Sequence, residues 1–488
     1  MNIRASLKSA IFLALLLFGG SGCAEAPDTL RAAKVDPAQG AMSGYYEVTL
    51  STGDPLLAEV DSVRVGGISA IHLDHLSPGT LRFLVQGQSK PGFVDIEVTA
   101  AGELLPLSTQ FEYLEPVFGE NALLYAIGAS LTEGTQRGLP TPWSIIHGPA
   151  AQLARQIGLY FPLPVLIEGG FQEMTPELMG PPPYCAPPPM DQYQLEQATE
   201  LIPKLIDPDT DEFSFSLVRA DPTLETHNLA IGGSRVWETI EGPSSTDIAM
   251  NFLGHCVYEP WGTVGDPLER SQFEVLESAN PDLVISFDLL GNDLIDGMID
   301  EKDFNGDNMT PIPDLIEDIN QAVDRLAATG AEVFIANLPN PINLPFFRAK
   351  RARLAKDGLK ENAALVFAKI EEGALAANES LEERAALYPN FHVVDISGLV
   401  ETWLVEGVQV GDQTLWVEQY GGLVGLDGLH FTDTAYALLA NAMIMEMSAV
   451  FGRDLPLIDA AEVWAADRER PEGLRSDGFD PDACERFP

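Results

Sequence analysis

The chain has 488 residues, 45% of them hydrophobic and 21% charged, a globular balance with length enough for one large domain and a smaller module. Lys and Arg number 28 against 73 Asp and Glu, a formal net charge of −45. A surface of that sign repels phosphate backbones and anionic lipid, which argues against a nucleic-acid partner.

Arg4 and Lys8 precede an uncharged apolar run, Ala10 to Phe18, followed by Gly19-Gly20-Ser21-Gly22-Cys23. This is an export signal over residues 1–22, too short to span a bilayer as a stable helix. The small residues before Cys23 resemble a bacterial lipoprotein processing site, where the cysteine is lipidated and becomes the first mature residue. Gly20 departs from the leucine usual there, and the alternative is a plain secretory signal cleaved near Gly22. Lipidation at Cys23 implies a cell-envelope lipoprotein at the outer membrane or cell surface, held to the membrane by its anchor, with residues 23–32 as linker. No later stretch shows the roughly 18 uninterrupted apolar residues of a membrane helix. Cys185 and Cys256 lie in the irregular text between the first two strands of the α/β part and form the expected disulfide, which leaves Cys484 free in the tail.

Residues 33–116 change character. Tyr46–Leu50, Val63–Val65, Leu81–Val85 and Val94–Val98 are short alternating runs that predict strands, and Gly66-Gly67, Pro78-Gly79 and Pro91-Gly92 supply turns. Regular strands without a helix signal predict a small β-sandwich. The pattern Val35-Asp36-Pro37 with Gly40, then Val63-Arg64-Val65-Gly66-Gly67, Gly92-Phe93-Val94-Asp95-Ile96 and Phe111-Glu112-Tyr113 resembles the IPT/TIG immunoglobulin-like family. That resemblance implies a spacer or a binding platform.

From Asn121 strands alternate with helices. Leu123–Ile127 and Asp282–Asp288 read as buried strands, with a short helix over 149–158 between them. A helix over 314–329 stops at Gly330, and strand Glu332–Ala336 follows at once. Helical text runs from Arg348 to Glu383, then strand His392–Ile396, then a last helix over 433–448. Such alternation predicts parallel strands with right-handed crossovers and helices on both faces, an α/β/α arrangement over residues 121–455. A proline-rich insertion at about 160–226, with Pro181-Pro182-Pro183 and Pro187-Pro188-Pro189, interrupts it, and loops of that length often shape a cleft. The tail, 456–488, carries no functional signal.

Serine ester cleavage needs a nucleophile on a tight turn, a base, a group orienting the base, and donors for the oxyanion. Ser130, in Gly128-Ala129-Ser130-Leu131-Thr132-Glu133-Gly134, stands directly after an apolar strand, at the carboxyl edge where active sites of parallel sheets collect. His430 follows Asp427 by three positions in Leu426-Asp427-Gly428-Leu429-His430-Phe431, a spacing that lets a carboxylate reach the imidazole across a turn. Asn228–Arg235, with Gly232 and Gly233, and Leu289-Leu290-Gly291-Asn292-Asp293 offer amide donors. Taken alone, each of these segments reads as an ordinary turn or helix cap.

The four segments stand in the order and spacing of the four blocks of the SGNH/GDSL hydrolases, which this chain resembles from about Leu123 to Phe451. The resemblance implies a flavodoxin-like three-layer α/β/α parallel sheet and an esterase or lipase acting on acyl esters without metal or organic cofactor. It makes Ser130 the nucleophile and an oxyanion donor, Gly233 and Asn292 the other donors, and Asp427 with His430 the remaining triad members. Two departures are Ala129 in place of the signature's Asp and Leu290 in place of the first Gly of GxND. Substrates open to such an exported enzyme include lipids, small esters and acetylated glycans, so a carbohydrate O-acetyl esterase is an alternative. In another class, an inactive hydrolase fold could serve as a surface binding protein. Asp303, Asn305, Asp307 and Asp314 place oxygens at alternating positions that suit calcium. Gly306 stands at the fourth rather than the sixth place, and Pro311 and Pro313 are expected to break the following helix, so a solvated acidic loop is the preferred reading.

Overall fold

A computed structural model of the chain describes residues 31–488 apart from 54, 120–121, 168–173, 176–177, 180–204, 207–217, 245–247, 260–267, 300–305, 307, 357, 477–479 and 485–488. Cys23, the signal segment, Cys185, most of the insertion, and Asp303, Asn305 and Asp307 lie outside the described residues.

Residues 34–114 form two facing sheets. One runs in the order Lys34–Asp36, Gly44–Ser51, Thr80–Gln86, Ile71–Ser77; the other in the order Gln39–Ala41, Gln110–Leu114, Gly92–Ala100, Val60–Val65, Ile68–Ser69. Alternation puts Val48, Leu50, Val63, Phe83, Val98 and Phe111 into a shared core, as period-two side-chain geometry requires. The module is not held by its linker alone. Tyr45, Ile71 and Leu84 belong to the core of the larger domain, Leu163 N–H donates to Tyr45 Oη (2.7 Å), and the Arg155 guanidinium lies over the Tyr46 ring.

The larger domain is built on four parallel strands in chain order: β1 (Leu124–Ala126), β2 (Leu283–Ser286), β3 (Glu332–Ala336) and β4 (Phe391–Val394). Every residue of β1 and β2 is buried, which is why both read as continuous apolar runs and not as alternation. Residues 227–231 run along the free edge of β1, with Leu229 N–H donating to Ala126 O (2.8 Å) and Ile231 N–H to Gly128 O (3.2 Å). Residues 227–231 thus lie outside β1 in space although they follow it in the chain, so the spatial order reverses at β1.

Helices cover the sheet in pairs. Helix α1 is the single turn Ser130–Glu133; α2 (Pro149–Ile157) packs with α5 (Asp433–Phe451), and α3 (Ile312–Ala328) with α4 (Lys360–Ala385). The helix expected over 314–329 is α3, and Pro311 and Pro313, expected to break a helix following a calcium loop, stand at its start. Pro311 caps it and Pro313 sits in its first turn, where a missing N–H leaves no hydrogen bond unmade. The helix expected over 348–383 is two helices, Pro345–Lys356 and α4, because Gly358 adopts a left-handed conformation (φ 81°) between them. By length and composition α5 could cross a membrane, a stretch the sequence reading passed over, yet Leu439, Met443 and Met447 are buried in the core.

The expected Cys185–Cys256 disulfide is not formed. Cys256 is a free thiol buried in the helix Ile248–Val257, and Cys484, expected to be free, is disulfide-bonded. Cys256 therefore behaves as a small apolar core residue, while the tail, expected to be inert, is covalently tied.

Candidate active site

Ser130 begins at the point where β1 ends. Its turn is held from below by one carboxylate: Asp288, two residues beyond β2, accepts from Ala129 N–H (3.0 Å), Leu131 N–H (2.6 Å), Thr132 N–H (3.1 Å) and Thr132 Oγ1–H (2.6 Å). The Ser130 N–H is the one amide in this run that Asp288 does not take. Gly128 is required at the bend, since its φ is 138° and a Cβ there would lie 2.8–2.9 Å from oxygens of Ser286, Asp288 and Thr132. Gln272 clamps the same residue from the other side, its Oε1 accepting from Gly128 N–H (2.9 Å) and its Nε2 donating to Gly128 O (3.0 Å).

The turn following the 227–231 segment abuts this one. A Cβ built on Gly232 would lie 3.6 Å from Ser130 Cβ and 2.9 Å from Glu133 Oε2, so the Gly232 backbone fits closely against the Ser130 turn. Asn292, which opens the helix Asn292–Ile299, donates from Nδ2 to Ser234 O (3.0 Å), and Asp293 Oδ2 accepts from Val236 N–H (3.0 Å). These two bonds fix the third and fourth segments to each other.

His430 stands in a loop closed by its own backbone. Gly425 N–H donates to His430 O (2.8 Å), Thr432 N–H donates to Leu423 O (3.1 Å), and Thr432 caps α5. Within it Asp427, fully buried, is bonded through Oδ2 to His430 Nδ1 (2.6 Å), while its Oδ1 accepts from the N–H groups of Leu429 and His430 (2.9 Å each). Ser130, Asn292 and His430 line one cavity. Gly233 is not among the residues that line it; its neighbour Gly232 packs against Ser130. Of the acidic residues proposed for calcium only Asp314 is described, in the first turn of α3, and among the described residues no group of three metal-ligating side chains occurs.

Residues 124–443 match the family GDSL-like lipase/acylhydrolase. The chain belongs to this family. It is accordingly a carboxylic ester hydrolase, and the acyl ester is its class of substrate. No curated protein matches the chain. Among solved structures, an acetyl xylan esterase is similar at 12% identity and TM-score 0.28, over 66% of this chain and 99% of that one. A Bacillus subtilis protein is similar at 13% identity and TM-score 0.20, over 84% and 79%. A plexin A4 extracellular region matches at 18% identity and TM-score 0.15, over 18% of this chain, which spans only 8% of the plexin.

In this acylhydrolase, burial alone would favour a neutral His430, but the charge and hydrogen bond of Asp427, with Asp288 and Glu133 farther off, outweigh it and hold the imidazole above its ordinary value. Glu133 is the opposite case. Burial raises it to about 7, against donation from Thr135 Oγ1 (2.7 Å) and Gly232 N–H. A raised carboxyl stabilises the fold fully below its unfolded value of 4.5, and that contribution is lost as pH rises through about 7. Glu133→Gln has no such loss. Thermal melts of both proteins between pH 5.5 and 8 should therefore show the melting temperature of the variant gaining on that of the wild type as pH rises; a constant difference would mean that Glu133 does not titrate in this range.

Asp288, Gln272 and Glu133 were not singled out in the sequence. The available signal for Asp288 was a lone acid within Leu283–Leu290, an otherwise uncharged apolar run ending at a strand's carboxyl edge. Gln272, 144 positions from the glycine it holds, gave none.

Proposed function

We propose that the enzyme hydrolyses acyl esters through an acyl-enzyme on Ser130, with His430 as general base, Asp427 orienting it, and Ser130 N–H, Gly233 N–H and Asn292 Nδ2–H as oxyanion donors. The observation that carries the reading is the buried 2.6 Å contact of Asp427 with His430 Nδ1, in a cavity shared with Ser130. With Nδ1 so engaged, Nε2 is the nitrogen left to face the serine. Ser130 Oγ bonds to the ester carbonyl carbon as its proton passes to His430. The carbonyl oxygen takes the negative charge, the C–O bond to the alcohol breaks, and His430 returns the proton to the leaving alkoxide. Water then attacks the acyl-enzyme by the same route and releases the acid.

The oxyanion assignment is supported by what the neighbouring amides already do. Ala129, Leu131 and Thr132 direct their N–H groups to Asp288, and Asn292 Nδ2 has a second proton beyond the one given to Ser234. Residues 227–231 on the outer edge of β1, with β2, β3 and β4 following in order on its other side, support a flavodoxin-like sheet, and the two facing sheets at residues 34–114 support an IPT/TIG-like module. Export, lipidation at Cys23 and a place on the cell envelope rest on the first 23 residues of the sequence alone.

A fluorophosphonate probe tests the nucleophile. We expect covalent labelling of the purified chain and its loss in Ser130→Ala. A folded, unlabelled wild type would instead favour a surface binding protein with the hydrolase fold.

A further inference from the structure

The cavity at Ser130 has two unlike sides. Ser130, Asn292 and His430 supply the polar one. The other is mostly hydrocarbon, contributed by Leu131, Phe287, Leu290, Ile295, Leu338 and Leu344, with Asn337 beside Leu338 already bonded to Asp395 and to Ser397 N–H, and the space between the two sides is about 60 Å³. One water needs about 10–15 Å³ of space measured in this way, so the cavity has room for a group of only a few heavy atoms. Pockets that accept drug-sized molecules begin at about 300 Å³.

We propose that the hydrocarbon side is the acyl pocket of the esterase, that it admits an unsubstituted acyl group of about two to four carbons, and that Ile295 and Leu338 set the limit. This deepens the reading of Ser130 as the acylated residue and rests on it. Once the carbonyl carbon is on Ser130 Oγ and its oxygen faces the amide donors, the two substituents must leave in different directions. The alkoxy group has to stay within reach of His430, which protonates it, so the acyl group takes the apolar side. A hydroxyl or charged substituent there would lose its water without finding a partner.

The limit follows from packing. Phe287 and Leu290 are wholly buried, part of a core that cannot yield without opening a void. Ile295 is partly buried, and its Cδ1 and that of Leu338 each lie 3.8 Å from the position of a Cβ on Gly291. These two side chains thus converge beside the residue preceding Asn292, and truncating either opens the same region.

The test is the kcat/KM series over p-nitrophenyl esters from acetate to decanoate, for wild type, Ile295→Ala and Leu338→Ala, with fluorophosphonate labelling of the wild type alongside. We expect a maximum between two and four carbons, a fall of at least about tenfold by six, and a rise of about tenfold in the hexanoate-to-acetate ratio in either variant, given that one methylene in a closed apolar pocket is worth about 10–200-fold. A labelled wild type that cleaves octanoate as fast as acetate would overturn the acyl-size limit while leaving the nucleophile in place, and this result needs no variant to fold. Folded variants keeping the wild-type profile would overturn the roles of Ile295 and Leu338. A wild type that neither labels nor cleaves any ester would remove the reading beneath the proposal.

Discussion

Asp427→Asn is expected to lower kcat by about 10³–10⁴-fold with KM little changed. The carboxylate does three things at once. It accepts from Nδ1, which fixes the tautomer with Nε2 free; it holds the loop through the N–H groups of Leu429 and His430; and in the proposed mechanism its charge stabilises the imidazolium formed when Ser130 gives up its proton. An asparagine can retain one loop acceptor but supplies no charge, and its amide can turn a donor toward Nδ1, which selects the wrong tautomer. The pH dependence should change in a defined direction. His430 acts as base only when neutral, and its carboxylate neighbours raise it above the ordinary histidine range, so wild-type activity should rise with pH through a midpoint above about 6.5. Removing the Asp427 charge lets burial dominate and moves that midpoint down. Rate profiles from pH 5 to 9 for both proteins check this; an unmoved midpoint would assign the titration to another group.

Asp288→Ala is the second large effect expected, a loss of about 100-fold in kcat from displacement of the nucleophile turn. Four hydrogen bonds from residues 129–132 end on this carboxylate, and alanine would leave the Ala129 and Thr132 donors buried and unpaired, at about 1–3 kcal/mol each. Both kcat and the thermal midpoint should therefore fall. Asp288→Asn, which keeps one acceptor oxygen, should lie between wild type and alanine in both. If circular dichroism and melting showed a fully stable Asp288→Ala protein with normal kcat, the turn would be held by Gly128 and Gln272 alone. The position also bears on Ala129, where the family signature has an acid: in this chain the negative charge beneath the nucleophile turn comes from the end of β2.

Within the site, the legible part was local. Asp427 and His430 are three residues apart, so a turn suffices to join them, and a sequence shows turns. Ser130 after Leu123–Ile127 and Asn292 after Asp282–Asp288 were reached by reading short apolar runs as buried strands, and the structure has strands Leu124–Ala126 and Leu283–Ser286 there. What escaped was contributed from a distance by residues ordinary in their own context. Gln272 is in the first turn of a helix, and Glu133 is one acid among 73 Asp and Glu. The cysteines failed for a related reason: nearness within one irregular stretch suggested Cys185 with Cys256, but pairing follows Cα distance and direction in the fold, and Cys256 points into the core.

By itself the sequence determined the alternation of elements, the segments that carry the candidate site and the strongly negative charge, because hydrophobic period, turn residues and net charge are properties of neighbours along a chain or of its sum. Tertiary structure decided which carboxylate holds the serine turn, that Cys256 is a core residue, that the N-terminal module is seated on the larger domain through Tyr45, and how little room lies beside Ser130. Each of these depends on separations across the fold, fixed only when all helices and strands pack at once, and no window along the sequence contains that distance.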